Sequence, residues 1–543
     1  MLRSGVSAVA CKATSKYARA ATLIIATTMF FLFSFLWFIR TTKAILFYLY
    51  LWQLKEYHVG RFLDHFRTEK GRKLLLNPLN VIKIILLLSF PAYPLLLLFS
   101  VFVLYILEFL KTIFDFLRKQ LKRPVFTLKA AFLISAALVF ESAFLFVLLQ
   151  NIKDIENIVW FIFWLLIFDI LTPMISSLIV LIFQPLAVLQ RNRIIKKAKI
   201  KRGQFKNLLV VGITGSYGKT STKEFLAAIL SEKFKILKTK EHQNSEVGVS
   251  LCILNDLRPE YEIFICEMGA YSRGGIKLLC GIAKPKIGII TGINEQHMAT
   301  FGSQKNIIKT KYELIESLPE DGMAFFNAKN KYCLELYNKT LRLRSGQAQF
   351  KKFLYGENAE FPGGENIFGA MAVAKELGMG EEEISRAASK IENKIGGIRV
   401  KKGINGINVI DATYSANPDG VIANLEYMKN NFSGRKIIVM PCLIELGKAS
   451  KEVHRRIGNK IGEVCDLAII TTKDSFKEIK EGAGEKAVFM ENPKEILEKI
   501  KSFYREGKED KSSSSPFAVA REGDAVLLES RVPGYLIKEL IGR

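Results

Sequence analysis

The chain has 543 residues, enough for three or four domains, and 49% of them are hydrophobic, giving a mean hydropathy of +0.18. The net charge is +26, but much of the excess sits in short segments beside apolar runs, which points to cytoplasmic membrane anchoring and excludes nucleic acid as the partner. Seven cysteines, with no C-x-x-C pair and none beside a histidine at metal-ligand spacing, exclude a structural zinc site and a disulfide framework.

Apolar runs fill the chain up to Leu189. A bilayer-spanning helix needs about 20 mostly apolar residues. Residues 20–39 qualify, with 44–54 as a shorter companion. Residues 81–110 form a longer run that Pro91 and Pro94 can break into two legs, residues 130–150 are a clear span, and 158–189 hold a tilted span or a kinked pair. The first run is too long for a signal peptide and has no small-residue cleavage site after it. Basic residues at 117–124 and 191–206 set the last two spans as an in–out–in hairpin. The expected location is therefore the inner (cytoplasmic) membrane, multi-pass, with residues 1–203 as a transmembrane helical region, membrane lipid as a partner and the later domains in the cytoplasm. Glu141 and Asp169 lie inside apolar runs and, with no evident basic partner, read as polar contacts within the bundle.

After Arg191 the composition is that of an ordinary α/β protein. "NLLVVGITGSYGKTSTKEFLAAILSEKF" reads as a buried strand, a glycine-rich turn and a helix. Backbone amides of such a turn face an anionic phosphate; Lys219 can neutralise outer phosphates and the Thr220 hydroxyl can bind Mg²⁺. The glycines fall at 212, 215 and 218, however, and Ile213 stands where the common G-x-x-x-x-G-K-[ST] spacing needs a glycine.

The shifted glycines resemble the nucleotide loop of the Mur ligase family, ATP-dependent amide-forming enzymes. Downstream, "YEIFICEMGAYSRGGI" ends a strand in Glu267, and "GINEQHMATFGSQKNIIKTKYEL" is similar to the family's strand followed by N-x-E-x-H and a lysine, with Asn294 and Glu295 adjacent here. The resemblance implies that Thr214, Gly215, Ser216, Tyr217, Gly218, Lys219, Thr220 and Ser221 hold ATP, with Asn294. It implies that Thr220 and Glu267 hold one Mg²⁺, and that His297 and Lys311, the latter carbamylated by CO₂, serve a second. Lys219, His297 and Lys311 are then the catalytic set. Taken alone, Lys311 reads as an exposed helix lysine and His297 as a loop or core histidine; their joint order after this loop favours the site. "TKEHQNSEVGVSL" matches the substrate-side segment at Asn244 and Gly248 and departs at Glu241, His242, Ser245 and Ser250.

"GGENIFGAMAVAKELGMG" resembles the segment whose asparagine lies near adenine, here Asn366, with Glu365 in place of a histidine. "GGIRVKKGINGINVIDATYSANPDG" is similar to the start of the C-terminal domain, which implies Arg399 toward phosphates and Asp411 toward the ribose. "SANPDG" also reads as helix entry, with Asn417 as N-cap and Pro418 first. "PCLIELGKASKEVHRRIG" matches at Glu445, Leu446, Gly447 and His454 a segment typical of the D-alanyl-D-alanine-adding branch, and "LLESR" stands where "VKGSR" is common. Residues 340–352 and 507–518 read as solvated insertions.

The fold class implied is a membrane α-helical N-terminal region followed by α/β: a P-loop Mur-type central ATPase domain at 204–394 and a Rossmann-like C-terminal domain at 395–543. The activity implied is acyl-phosphate amide ligation, releasing ADP and phosphate, with D-Ala-D-Ala or a similar amine added to a peptidoglycan-precursor peptide in cell-wall biogenesis. Family members begin with a domain that holds the substrate's uridine nucleotide; apolar helices precede the resemblance here. Two alternatives stay open: a ligase of the same chemistry on a lipid-linked or poly-γ-glutamate-like acceptor, and, more remotely, a nucleotide-driven transporter or sensor.

Overall fold

The computed structural model describes residues 3–90, 92–151, 157–240, 243–343, 351–359, 363–390, 399–413, 417–505 and 523–542. The insertion expected at 507–518, most of that at 340–352, and Glu241 and His242 lie outside them. The chain forms two compact units, Met1–Gln190 and Arg191–Arg543.

The first unit is helical. The two apolar runs expected as separate spans belong to one helix, Arg3–Leu54. The polar stretch between them stays helical because each side chain finds a partner on another helix. Arg40 Nε donates to Glu108 at 2.8 Å, Thr41 and Thr42 donate to Glu141, and Lys43 Nζ lies 2.7 Å from Asp115. The run at 81–110 does divide, into Pro78–Ser89 and Pro94–Leu117, each with proline in its first turn, where the missing N–H costs nothing. Leu128–Gln150 and Asn157–Ile182 follow. Among the described residues three stretches, Thr28–Leu54, Leu128–Gln150 and Ile158–Gln204, are long and apolar enough to cross a membrane, which corrects the larger set of runs expected.

The reading of Asp169 as lacking a basic partner is also corrected. Lys83, fully buried, places Nζ 2.7 Å from Glu108 and 2.5 Å from Asp169, and Arg40 lies 3.6 Å from the second Asp169 oxygen. The pairing was hidden because Lys83 and Asp169 are 86 residues apart. Two cations and two carboxylates thus neutralise one another inside an apolar bundle, as buried charges must be paired to be tolerated there. Removing one member leaves an uncompensated carboxylate, so Lys83→Met is expected to destabilise the chain by about 3–5 kcal/mol in denaturant unfolding; a loss below about 1 kcal/mol would contradict the pairing.

The second unit contains two six-stranded sheets. In the first, β1 (Leu209–Thr214), β2 (Ile236–Lys238), β3 (Ile263–Glu267), β4 (Ile287–Ile290), β5 (Met323–Asn327) and β6 (Lys351–Tyr355) are all parallel in the order β2-β3-β1-β4-β5-β6. Strands β3 and β4 are buried along their whole length, as parallel strands covered on both faces must be. The chain passes from β1 to β2 and β3 on one side and then crosses to β4 on the other. The switch point where ligands gather in such sheets therefore lies at the carboxyl ends of β1, β3 and β4.

The second sheet holds β7 (Arg399–Lys402), β8 (Asn408–Ala412), β9 (Lys436–Met440), β10 (Leu467–Ile470), β11 (Ala487–Phe489) and β12 (Ala525–Glu529) in the order β11-β10-β9-β12-β8-β7. Only β7 is antiparallel, pairing with β8. Asn417 caps the helix Pro418–Asn431 by accepting from Gly420 N, with Pro418 at the first position.

Candidate active site

The glycine-rich loop springs from the end of β1. Thr214 Oγ1 donates to Met268 O at 2.9 Å, pinning the strand end to the chain beyond β3, and Ser216 Oγ accepts from Asn294 N at 3.2 Å. Tyr217 Oη accepts from Asn330 Nδ2 at 3.2 Å, and its ring occupies the space that a side chain at Gly292 would fill. Gly218 caps the helix Lys219–Leu230 with φ 77°, a left-handed conformation, and a Cβ there would run into the Asn366 carboxamide. Asn366 is buried in the helix Gly364–Glu376 and accepts from Thr222 Oγ1 at 3.2 Å. Lys219 folds back over the loop and donates to Gly215 O at 2.7 Å and Ser216 O at 3.1 Å. Burial lowers its pKa against the pull of Glu267.

Glu267 ends β3 directly beside the loop. Both its oxygens lie 3.1 Å from Thr220 Oγ1, Asn244 Nδ2 donates at 3.0 Å, and the buried Lys223 ammonium is 3.3 Å away. Burial alone would raise this carboxyl; the Asn244 amide, Lys219, Lys223 and Thr220 outweigh it and hold it below its ordinary value. It is an ionised carboxylate with a hydroxyl at its face.

Lys311 sits in the helix Gln304–Glu316 and is 3% exposed, so the exposed position expected for a lone helix lysine does not hold. Burial pushes its amine down to about 7, with Lys219 adding to the effect and Glu313 opposing it. His297 lies just past β4 with φ 64°, and its Nδ1 is 2.6 Å from Glu445 Oε2. Burial pulls the imidazole below its ordinary value against Glu445, and Lys219 and Lys311 reinforce the shift.

A cleft of about 790 Å³ is lined by residues Ser216 to Ser221, Glu267, His297, Lys311 and Asn366. Thr214 and Gly215 are buried at the end of β1 and the start of the loop and do not line the cleft. Asn294 is 1% exposed and turns to the C-terminal half, donating from Nδ2 to Asn417 Oδ1 at 2.9 Å. Arg399 and Asp411 are not brought to the cleft. They face each other in register across β7 and β8, Arg399 exposed and Asp411 accepting from the Thr413 hydroxyl at 2.7 Å.

Sequence reasoning overlooked Lys223 and gave Glu445 no role. Lys223 lies four residues after Lys219 and three after Thr220, the helical spacings that make it a neighbour of each, so its approach to Glu267 had a signal. Glu445 had only its match to a motif, since its partner is 148 residues away.

Two family models match the chain: the Mur ligase middle domain over residues 213–381, and the Mur ligase, glutamate ligase domain over residues 398–529. UDP-N-acetylmuramoyl-tripeptide–D-alanyl-D-alanine ligase of Synechocystis sp. is 30% identical over 269 residues, which cover 46% of this chain and 59% of that protein. The chain thus spans about three fifths of that relative's length. MurF from Acinetobacter baumannii superposes with a TM-score of 0.55 at 22% identity over 65% of this chain and 81% of that one, a likeness of fold. MurF from Thermotoga maritima, solved in complex with ADP, gives 0.50 at 26% identity over 63% and 80%.

These comparisons overturn the expected multi-pass location in the cytoplasmic membrane. The relatives are MurF ligases, the likeness to them brings neither a membrane setting nor a lipid partner, and the three apolar helices qualify by length and composition only. The two matched domains, with the phosphate loop and the Glu267 carboxylate inside the first, make this chain a member of the Mur ligase family.

Proposed function

We propose that the chain is an ATP-dependent carboxylate–amine ligase of the MurF kind, joining D-alanyl-D-alanine or a similar amine to the peptide of a peptidoglycan precursor. The observation that carries this reading is the convergence of Lys219, the Thr220–Glu267 pair and a buried Lys311 on one cleft. A plain nucleotide hydrolase has no use for the last of these. The proposed division is an ATP-binding domain at 204–394 and a C-terminal domain at 395–543.

The acceptor carboxylate attacks the γ-phosphorus of ATP, the bond to the bridging oxygen breaks, and ADP leaves. The amine then attacks the acyl carbon and loses a proton, and phosphate departs with one of the carboxylate's oxygens. Two anions must first be brought together, so catalysis is mostly positioning and charge stabilisation. Lys219 exchanges the carbonyls of Gly215 and Ser216 for phosphate oxygens. Mg²⁺ supplies charge neutralisation, and the Thr220 hydroxyl and Glu267 carboxylate, 3.1 Å apart, are the few oxygen donors that such a cation takes while keeping water and phosphate. His297, and Lys311 as a carbamate made from CO₂, are proposed to serve a second ion. An amine with a pKa near 7 has a substantial neutral fraction near neutral pH, the form that adds to CO₂. Asn366, against the loop at Gly218, is proposed to border the nucleotide. Arg399 and Asp411 can reach phosphate and ribose only if the C-terminal half shifts, because neither lines the cleft.

The direct test is ADP release by the purified full chain with Mg²⁺ and bicarbonate, given UDP-linked muramoyl tripeptide and D-Ala-D-Ala together and singly. Release that requires both supports the reading; release indifferent to both contradicts it. Lys219→Ala is expected to slow turnover at least about 100-fold. Lys311→Ala is expected to abolish ligation with ATP binding nearly unchanged, and retained ligation would remove the carbamate role. The carbamate has its own readout. With ¹³C-bicarbonate its signal should grow as pH rises through about 7, where the Lys311 ammonium gives up its proton, and should be missing in Lys311→Ala. A signal indifferent to pH or to the substitution would refute the assignment.

A further inference from the structure

The segment 293–299 after β4 does more than carry His297. Its side chains and backbone lead, one after another, to the C-terminal half. Asn294 donates to Asn417, and Glu295 takes the Arg456 guanidinium in two bonds of 3.2 and 3.3 Å. His297 Nδ1 meets Glu445 Oε2 at 2.6 Å, and Ala299 N donates to Glu445 O at 3.1 Å. The two ends of the central contact are both strained: His297 has φ 64° and Glu445 φ 63°, values that residues with a Cβ avoid. Gly447, two residues on, has φ 54°, and a Cβ there would stand 3.0 Å from Ala299 Cα, so the two loops meet backbone to backbone. Strained residues persist where their surroundings over-determine them, and here each strained residue is the other's surroundings. Tyr271 closes the edge of the imidazole at 5.0 Å between ring centroids.

We propose that Glu445 is a positioning residue for this cleft. It takes the proton of His297 Nδ1, fixes the tautomer and the ring plane, and so leaves Nε2 bare for the ligand side. Because Glu445 belongs to the C-terminal half and His297 to the middle one, the imidazole is set only when the two halves dock. The inference rests on the reading of His297 as a site residue, and it assigns Glu445 no contact with substrate. A carboxylate behind a histidine sets which ring nitrogen is free and is typically worth 10–100-fold in activity or affinity.

The test is the imidazole spectrum of the ¹⁵N-histidine-labelled full chain, which has only five histidines, with His297 assigned by its disappearance in His297→Asn. In the unsubstituted chain, Nδ1 of His297 is expected to be protonated and Nε2 bare. Glu445→Ala is expected to move the proton toward Nε2 and to lower kcat about 10–100-fold with the KM for ATP unchanged. Glu445→Gln, whose amide oxygen still accepts from Nδ1–H, is expected to recover most of both. A His297 that keeps its Nδ1 proton in Glu445→Ala overturns the proposal, as does a kcat unaffected by that substitution. Equal loss in the Gln and Ala variants with an unaltered tautomer also overturns it, because a merely structural role would behave in that way. The spectrum needs no substrate, so it decides the inference even if the ligase reading fails.

Discussion

An ionised carboxylate at the end of β3 is the constraint around which the cleft is organised. Glu267 is buried, and burial opposes its charge. Its neighbours answer that cost: the Asn244 amide at 3.0 Å, the Thr220 hydroxyl at 3.1 Å and the Lys223 ammonium at 3.3 Å. These partners come from two segments, the helix after β1 and the chain after β2, and the strand order β2-β3-β1 brings both beside the end of β3. The fold thus contributes to the chemistry by topology, through the open end of β1 between two strands reached by crossover. The Lys219 ammonium, held against loop carbonyls, and the neutral-leaning Lys311 amine then complete a site with one fixed anion and two amines of different character.

The same principle governs the helical unit, with the opposite result. There Lys83, Arg40, Glu108 and Asp169 cancel one another. In the second unit Lys223 is paired with Glu267, but Lys311 is not matched in this way. Lys311 has no carboxylate partner among the described ion pairs, and burial, with Lys219 adding to it, depresses its pKa. Perturbed groups in a cleft mark function more often than perturbed groups in a closed network.

How much of this could be read from residues follows from the range of each interaction. The phosphate loop was legible because strand, glycine turn and helix are contiguous, and Gly218 is required where the helix begins. Glu267 and Lys311 were legible through a resemblance of order and spacing, but not their burial, which depends on what packs over them. The Lys83–Asp169 pair and the His297–Glu445 contact span 86 and 148 residues, and no local pattern announces either. Arg399 and Asp411 show the reverse: their motif positions are clear, yet the two pair across β7 and β8 and neither lines the cleft. The runs 20–39 and 44–54 read as two because composition ignores the partners that Arg40, Thr41, Thr42 and Lys43 find on other helices.

The central claim is that the cleft transfers a phosphoryl group to a carboxylate and not to water. The measurement that addresses it most directly is the fate of oxygen. With an acceptor whose reacting carboxylate carries ¹⁸O, turnover by the full chain with ATP and the amine should yield inorganic phosphate containing one ¹⁸O, because the acyl phosphate leaves that oxygen on phosphorus. Phosphate free of label, formed at the same rate with or without the acceptor, would mean that water is the nucleophile and that the chain is not an amide ligase.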